Sequence, residues 1–195
     1  MKGRIIFLLE EPSMKELLNR LVPRLLPGLE PEVHFTCVPH QGKTDLERSI
    51  PRKLKAWREP GARFVVVEDN DNRDCGTIKA RLVTMTRDAG REDTLVRLVC
   101  QELEAWYLGD LPALSEVYDS AALRAESTKK RIGDPDAWQK PSLEVERMAP
   151  AFQKIQGARL MGETLHPCEN SSKSFQVFVS GLSRIATEMG LLQTG

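Results

Sequence analysis

Apolar and polar positions follow a regular pattern in the first part of the chain. Residues 4–9 are continuously apolar after Arg4 and predict a strand, and apolar residues at helical spacing over residues 17–26 predict a helix. Alternating apolar and polar positions over residues 33–37 predict a second, half-buried strand. A basic amphipathic segment then extends to about Trp57.

The same alternation continues beyond that segment. The β-branched run over residues 64–67 is typical of a strand that is buried on both faces of a parallel sheet. Residues 76–89 predict a helix, and residues 95–100 predict another strand. Strands that alternate with helices imply right-handed β-α-β connections, and therefore an α/β fold with a mainly parallel sheet flanked by helices.

The second half of the chain has a different pattern. After about residue 110, short helical segments are separated by prolines, and a long amphipathic helix with an apolar stripe from Phe175 to Met189 closes the chain. A chain of 195 residues can bury a core without disulfides or a structural metal. We therefore expect one domain over residues 1–195, with an α/β core over 1–109 and a helical elaboration with the closing helix over 110–195.

Charge balance limits what the chain can bind through long-range attraction. Lysine and arginine total 28 and aspartate and glutamate total 28, so any binding of nucleic acid must be local. Basic stretches at residues 43–58 and 129–131 are candidates, although a solvated helix face is the ordinary interpretation of each. The four dispersed cysteines are expected to be reduced, and the three separated histidines do not indicate a zinc site.

The N-terminal apolar run does not resemble a targeting segment. It is short and two glutamates follow it at once, unlike a signal peptide. Apolar runs elsewhere in the sequence fall well short of the roughly 20 residues that cross a bilayer. We expect a cytoplasmic protein without membrane contact.

Acidic residues follow three of the predicted strands. They are Glu10 and Glu11 after the first strand, Asp69, Asp71 and Asp74 after the third, and Glu102 and Glu104 after the fourth. Ligands of open α/β sheets bind beyond the carboxyl ends of the strands, where neighbouring strands would gather these carboxylates. Crowded carboxylates call for a hard divalent cation, and oxygen ligands favour Mg²⁺, Mn²⁺ or Ca²⁺. The alternative is that the acids cap the helices that follow.

Asp69 and Asp71 form a D-x-D pair directly after the third strand. In an extended chain their side chains would leave on the same side, with Cα atoms about 6.5 Å apart, a spacing that suits a shared metal. One D-x-D pair is a weak signal, and the convergence of three strand ends strengthens it.

Four sequence blocks carry a resemblance to a known family. The blocks are LLEEPSM, VVVEDNDNRDC, QELEAWYLGD and NSSKSFQVFVSGLSRI, and they span nearly the whole chain. Together they resemble the domain of unknown function 4276 family, a branch of the Toprim-like superfamily. Toprim domains of topoisomerases, primases and OLD-type nucleases hold Mg²⁺ for phosphodiester chemistry with a glutamate after the first strand and a later D-x-D. The resemblance implies a Toprim-like sheet and gives these roles to Glu10, Asp69 and Asp71.

The chain departs from the Toprim pattern directly after Glu10. Toprim proteins usually have glycine there, whereas this chain has Glu11 and Pro12, so Glu11 could replace Glu10 as the ligand. Family members often neighbour ATPase genes, which implies an ATPase partner. The resemblance further implies a second ion, as in OLD-type nucleases, with ligands from Asp74, Glu102 and Glu104.

The resemblance implies phosphodiester cleavage that depends on Mg²⁺ or Mn²⁺. The ion would polarise the phosphodiester and lower the pKa of a bound water, while Glu102 or Glu104 would place a second ion. A carboxylate that does not bind metal could act as general base. The substrate-binding candidates are Arg73, Lys79, Lys173 and Ser174.

Two segments with candidate residues have structural alternatives. The start of the closing helix offers free N–H groups to a phosphate, but a serine among residues 171–174 serves equally well as the helix N-cap. Trp106 is expected to pack in the core. Base stacking on Trp57, Trp106 or Trp138 is the alternative for the tryptophans.

Two classes of function remain open from the sequence. The first is a metal-dependent nuclease or related phosphodiester-processing enzyme, in defence or repair. The second is a non-catalytic Toprim-like module that binds nucleic acid or nucleotide and serves an ATPase partner. The intact acidic cluster favours the enzyme, whereas the neutral charge and the missing glycine favour the module.

Overall fold

Strands and helices alternate through the first half of the chain, as the sequence predicts. A computed structural model describes residues 3–192. The first half contains, in order, β1 (Ile5–Leu9), α1 (Pro12–Leu25), β2 (Phe35–Pro39), α2 (Lys43–Ala56), β3 (Arg63–Asp69), α3 (Cys75–Asp88) and β4 (Leu95–Val99). Neighbouring strands pair in parallel, in the order β2-β1-β3-β4. The predicted α/β fold with a parallel sheet and flanking helices is therefore confirmed.

The sheet is covered on both faces, which is why its strands are apolar on both sides. Phe7 and Val65 on one face pack into a core with α1 and the C-terminal helices. Ile6 and Val66 on the other face pack beneath α2 and α3. Because successive side chains of a strand point to opposite faces, Glu68 and Asp69 at the end of β3 enter different environments.

The second half of the chain is helical. It contains α4 (Glu104–Leu108), α5 (Leu111–Val117), α6 (Ala121–Arg124), α7 (Glu126–Ile132), a 3₁₀ helix (Pro135–Ala137), α8 (Pro141–Met148), α9 (Lys154–Thr164) and α10 (Lys173–Glu188). Helix α9 packs along α1, and α10 packs against β4. The closing helix is α10, with 16 residues, and within residues 3–192 no helix has the length and apolar character to cross a bilayer.

The second strand begins two residues later than the alternation suggests. Val33 lies before β2 and is 58% exposed. The reason is a turn at residues 32–34, in which Glu32 adopts a left-handed backbone with φ of 62° and its N–H bonds to the carbonyl of Phe35. A half-buried strand is therefore present, but it starts at Phe35.

Helices α1 and α9 approach each other closely at a glycine. A Cβ atom on Gly162 would lie 2.7 Å from the carbonyl oxygen of Leu17 and 2.9 Å from the Cβ atom of Arg20. This contact holds α9 along α1, with its first residue at the carboxyl edge of the sheet. There the Nζ atom of Lys154 lies 2.6 Å from the Oε2 atom of Glu11.

Gly162→Ala tests this close approach. Because the backbone of α1 cannot yield easily, we expect the substitution to lower the free energy of unfolding by about 1–3 kcal/mol, despite the roughly 1 kcal/mol that alanine gains in a helix. Urea unfolding measures the change. The exposed Gln156→Ala on the same helix is the control and should stay within about 0.5 kcal/mol of wild type. A Gly162→Ala protein as stable as wild type would contradict the packing.

Candidate metal centre

The order of the strands reverses between β1 and β3. From β1 the chain adds β2 on one side and β3 on the other, and ligands of open α/β sheets bind at such a point. Glu10 follows β1 and Asp69 ends β3. The Oε2 atom of Glu10 accepts a hydrogen bond of 2.9 Å from the backbone N–H of Asp69. Two of the predicted ligands are therefore in direct contact.

Asp69 is buried without adequate compensation. The residue is 5% exposed, and its Oδ1 atom has no hydrogen-bond partner among residues 3–192. Burial raises the pKa of Asp69 well above its usual range, the carboxylates of Glu10, Glu11 and Glu104 raise it further, and Lys154 opposes them. A buried polar atom that lacks a partner is costly, so this oxygen indicates a place for a cation or a proton.

Further acidic and polar groups share the buried side of Asp69. Glu104 opens α4 and is 1% exposed, and its Oε2 atom and the hydroxyl of Tyr107 both lack a hydrogen-bond partner within the described chain. Burial raises the pKa of Glu104 to about 7. We call Glu11, Asp69 and Glu104 the buried acidic cluster.

The positive charge beside the buried acidic cluster comes from α9. Lys154 pairs with Glu11, and its ammonium also interacts with the carboxylates of Asp69 and Glu104. Burial alone would lower the pKa of Lys154, but these carboxylates raise it to about 12. One ammonium among three carboxylates leaves the cluster with excess negative charge whenever all three are ionised.

Asp71 lies on the exposed side of the loop. Its carboxylate pairs with the ammonium of Lys43 at the start of α2, and the side chain is 47% exposed. The backbone turns at Asp71 and Asn72, which have φ angles of 45° and 59°. The extended geometry expected for the D-x-D pair is therefore wrong, because a turn carries Asp71 while the strand carries Asp69.

Glu10 interacts with both sides of the loop. The pKa of Glu10 is raised to about 7, chiefly by burial and further by the carboxylates of Glu68 and Asp71. The hydrogen bond from Asp69 and the charge of Lys43 oppose this rise. Within residues 3–192, no group of three Asp, Glu, His or Cys side chains has the arrangement needed to hold a metal ion. A cation shared by Glu10, Asp69 and Asp71 stays a prediction, and it requires Asp71 to leave Lys43.

Two other predicted ligands already have structural partners. Asp74 caps α3, since its Oδ2 atom accepts a hydrogen bond of 2.6 Å from the N–H of Thr77. Glu102 accepts hydrogen bonds from the ammonium of Lys140 at 3.2 Å and the N–H of Ser142 at 2.9 Å, and so ties the end of β4 to α8. Helix capping thus accounts for Asp74, and the second-ion role of both residues stays a prediction.

The three basic candidates for substrate binding, Arg73, Lys79 and Lys173, have different surroundings. The guanidinium of Arg73 pairs with Glu68 at 3.0 Å on the α3 side of the sheet. Lys79 is exposed on α3, and Lys173 is exposed at the start of α10. Their role in substrate binding stays a prediction.

Ser174 is buried in a hydrogen-bond network at the start of α10. Its hydroxyl accepts a hydrogen bond from the indole N–H of Trp106 at 2.9 Å, and its backbone N–H donates to Asp136 at 2.7 Å. Ser172 is the N-cap, with its hydroxyl accepting from the N–H of Phe175. The helix start therefore already holds the carboxylate of Asp136. The expectation that Trp106 packs in the core is confirmed by its exposure of 1%.

The sequence did not identify three residues that shape this site. Lys43 stood only as part of a basic stretch, and nothing near Lys154 in the sequence points to the acidic residues. Asn70 carries no predicted role, because the predictions concern only its acidic neighbours. In the structure its Oδ1 atom accepts a hydrogen bond from the N–H of Gln101 at 2.5 Å, and its side-chain amide donates to the carbonyl of Arg73 at 2.9 Å. An asparagine between two acids was the one local signal available.

Comparisons with known proteins agree with this fold. The family model described as Domain of unknown function (DUF4276) matches residues 9–183. Two solved structures of the C-terminal region of the Xanthomonas campestris pv. campestris OLD protein are similar to the chain. The one phased with iodine is 14% identical, with a TM-score of 0.54 over 96% of this chain and 98% of that chain. The one phased with mercury is 15% identical, with a TM-score of 0.55 over 97% of each chain.

No curated protein sequence matches the chain. The family match confirms the resemblance that the four sequence blocks carry. The two OLD structures share the α/β fold of this chain.

Glu104→Gln tests the charge balance of the buried acidic cluster. The folded-state pKa of Glu104, about 7, lies above its ordinary value of 4.5, so ionisation of Glu104 costs stability as the pH rises between these values. The change in Tm caused by Glu104→Gln should therefore be more favourable at about pH 8 than at about pH 5, in metal-free buffer. Exposed Glu146→Gln is the control. Equal changes in Tm at both pH values for Glu104→Gln would contradict the burial of a charged group.

Proposed function

The chain belongs to the DUF4276 family, and on that premise we propose that it is a divalent-metal-dependent enzyme that processes phosphodiesters of nucleic acids. The observation that carries the proposal is the buried Oδ1 atom of Asp69, which lacks a hydrogen-bond partner in the described structure while Glu10 contacts the same residue. The resemblance to Toprim domains, which hold Mg²⁺ with a glutamate and a D-x-D, supports it independently. Defence or repair is the setting that we propose.

The residues present suit a hard divalent cation. The Glu10 carboxylate contacts the backbone N–H of Asp69 and interacts electrostatically with the Asp69 carboxylate, and Asp71 would add a third carboxylate once it leaves Lys43. All of these donors are oxygens, which favours Mg²⁺ or Mn²⁺ over zinc. When bound, such an ion would polarise a phosphodiester and lower the pKa of a bound water.

Other residues of the chain have roles that follow from their charge. Lys43, released from Asp71 at the exposed side of the loop, would meet a phosphate oxygen of the substrate. Glu104 lies outside the three proposed ligands, and a carboxyl group with a pKa of about 7 can hold or release a proton near neutral pH. We propose the Oε2 atom of Glu104 as the place where that proton resides.

A specific observation favours a second function. The ion pair of Asp71 with Lys43 closes the exposed side of the site without metal, and no ready-made ligand set exists in residues 3–192. If that arrangement persists in the presence of metal, the chain is a non-catalytic Toprim-like module that binds nucleic acid or nucleotide and serves an ATPase partner. The balanced overall charge suits such a module.

Asp71→Asn in the presence of Mn²⁺ distinguishes these functions. An ion that binds only the folded state stabilises it, so Mn²⁺ should raise the Tm of wild type. Asp71→Asn keeps the side-chain shape but removes a charged ligand, so it should reduce that rise and abolish Mg²⁺- or Mn²⁺-dependent cleavage of DNA or RNA. The exposed Asp88→Asn is the matched control and should keep both properties.

Two results would contradict this prediction. If wild type shows neither a rise in Tm with Mn²⁺ nor cleavage of single- or double-stranded DNA or RNA, the enzyme proposal fails and the module is favoured. If Asp71→Asn keeps both the rise and the cleavage, Asp71 is not a ligand.

Lys43→Gln tests whether the ammonium competes with the ion. A unit charge about 4 Å away contributes about 1 kcal/mol even in water, so removing Lys43 should tighten Mn²⁺ binding about fivefold or more. Isothermal titration calorimetry measures the Kd. Lys55→Gln, an exposed change near the end of α2, is the control and should leave the Kd unchanged. An unaltered Kd for Lys43→Gln would contradict the competition between Lys43 and the ion.

A further inference from the structure

A cavity of about 720 Å³ lies between α7, the 3₁₀ helix and α8. Ligand pockets in proteins usually have volumes of roughly 300–1,000 Å³. The lining joins three cations to an indole and an exposed aliphatic side chain, which are Arg131, Lys140, Arg147, Trp138 and Leu143. Leu143 is 61% exposed, so its side chain is accessible to a ligand in the cavity.

Glu144 holds two of these cations in place. Its carboxylate, 8% exposed, accepts hydrogen bonds from Arg131 at 2.5 Å and from Arg147 at 2.7 Å. Burial alone would raise the pKa of Glu144, but hydrogen bonds from the two arginines keep it below its ordinary value. With Asp134, the other carboxylate of the lining, the three cations leave a single excess positive charge at the cavity, and Lys140 shares its charge with Glu102.

Trp138 is also fixed before any ligand binds. Its indole N–H donates to the carbonyl of Ile132 at 2.9 Å, and the guanidinium of Arg131 lies 5.5 Å from the centre of its ring. An aromatic ring and cations that are already ordered lose little entropy on binding, which favours affinity.

The cavity adjoins the loop that carries Asp71. The side-chain amide of Asn72 donates to the carbonyl of Gln139 at 3.1 Å, and Lys140 pairs with Glu102 at 3.2 Å. Both Gln139 and Lys140 line the cavity. A ligand in the cavity would therefore lie beside the candidate metal centre.

We propose that this cavity binds one nucleotide of a single-stranded nucleic acid, with the base against Trp138 and Leu143 and a phosphate on Arg147 and Lys140. The inference rests on the proposed function, since it assigns the substrate of the same site. Unpaired bases expose their faces for packing on aromatic side chains, whereas the faces of duplex bases are already stacked on their neighbours. Arginine matches the geometry of a phosphate with two parallel hydrogen bonds.

The test is fluorescence anisotropy of labelled single-stranded DNA and RNA oligonucleotides, in EDTA and without divalent metal. Leu143→Glu adds a negative charge inside the cavity at an exposed position, so the fold should tolerate it. We expect its Kd to be about fivefold weaker or more, because a base that no longer packs on the protein loses about 1 kcal/mol or more. Val33→Glu, at a position 58% exposed and outside the lining, is the matched control and should bind as wild type does.

Arg147→Gln tests the phosphate contact separately. Removing one cation that neutralises a phosphate should reduce the slope of log Kd against log salt by about one. Arg124→Gln, an exposed arginine outside the cavity, should leave the slope unchanged. Unlabelled duplex of the same sequence should compete poorly with the single strand.

Three results would overturn the inference: no binding of single strands by wild type, a preference for duplex, or Leu143→Glu and Arg147→Gln proteins that both bind within about twofold of wild type. Binding in EDTA and cleavage with Mn²⁺ separate the two proposals, because binding of a single strand in the cavity requires no metal ion. If the cavity variants weaken single-strand binding but wild type shows no metal-dependent cleavage, the proposal of a metal-dependent enzyme alone is contradicted. If wild type cleaves nucleic acid and Leu143→Glu changes neither cleavage nor single-strand binding, the cavity proposal alone is contradicted.

Discussion

The hydrogen bond from the backbone N–H of Asp69 to the carboxylate of Glu10 joins the ends of β1 and β3. It forms where the strand order reverses, so it places two acids at the point where ligands of such sheets bind. The same strand ending buries the Asp69 side chain, and burial raises its pKa well above the usual range. A carboxylate in that position requires a proton or a cation to stabilise it, and in the proposed chemistry a divalent cation has that role.

Successive side chains of β3 point to opposite faces of the sheet, so the carboxylate that requires a proton or a cation lies on one face only. Glu68 points to the α3 side, where the guanidinium groups of Arg73 and Arg81 lie 3.0 Å and 3.8 Å from its Oε1 atom. Asp69 points to the other side, where the opposing positive charge comes from Lys154, which is already paired with Glu11. Burial raises the pKa of both acids, but two arginines oppose this rise at Glu68, whereas the cation that opposes it at Asp69 is Lys154, which Glu11 shares.

The fold could be predicted from the sequence further than the site could. Apolar runs alternating with amphipathic helices predicted the parallel sheet flanked by helices, whereas the adjacency of β1, β3 and β4 was a condition that the structure fulfils. The turn that separates Asp71 from Asp69 did not follow from the pattern, because it depends on contacts of Asn70 and Asp71 with Gln101, which β4 brings to the loop. Lys154 reaches the acids through the packing of α9 on α1, and no local pattern encodes that contact.

The central claim is that Glu10, Asp69 and Asp71 bind one divalent cation. Anomalous diffraction from crystals soaked in a manganese salt tests it most directly. We predict a manganese peak within about 2.0–2.6 Å of carboxylate oxygens from Glu10 and Asp69, with the Asp71 carboxylate turned away from Lys43 to join them. Saturating soaks that give no peak at this position, with Asp71 still paired to Lys43, would contradict the account.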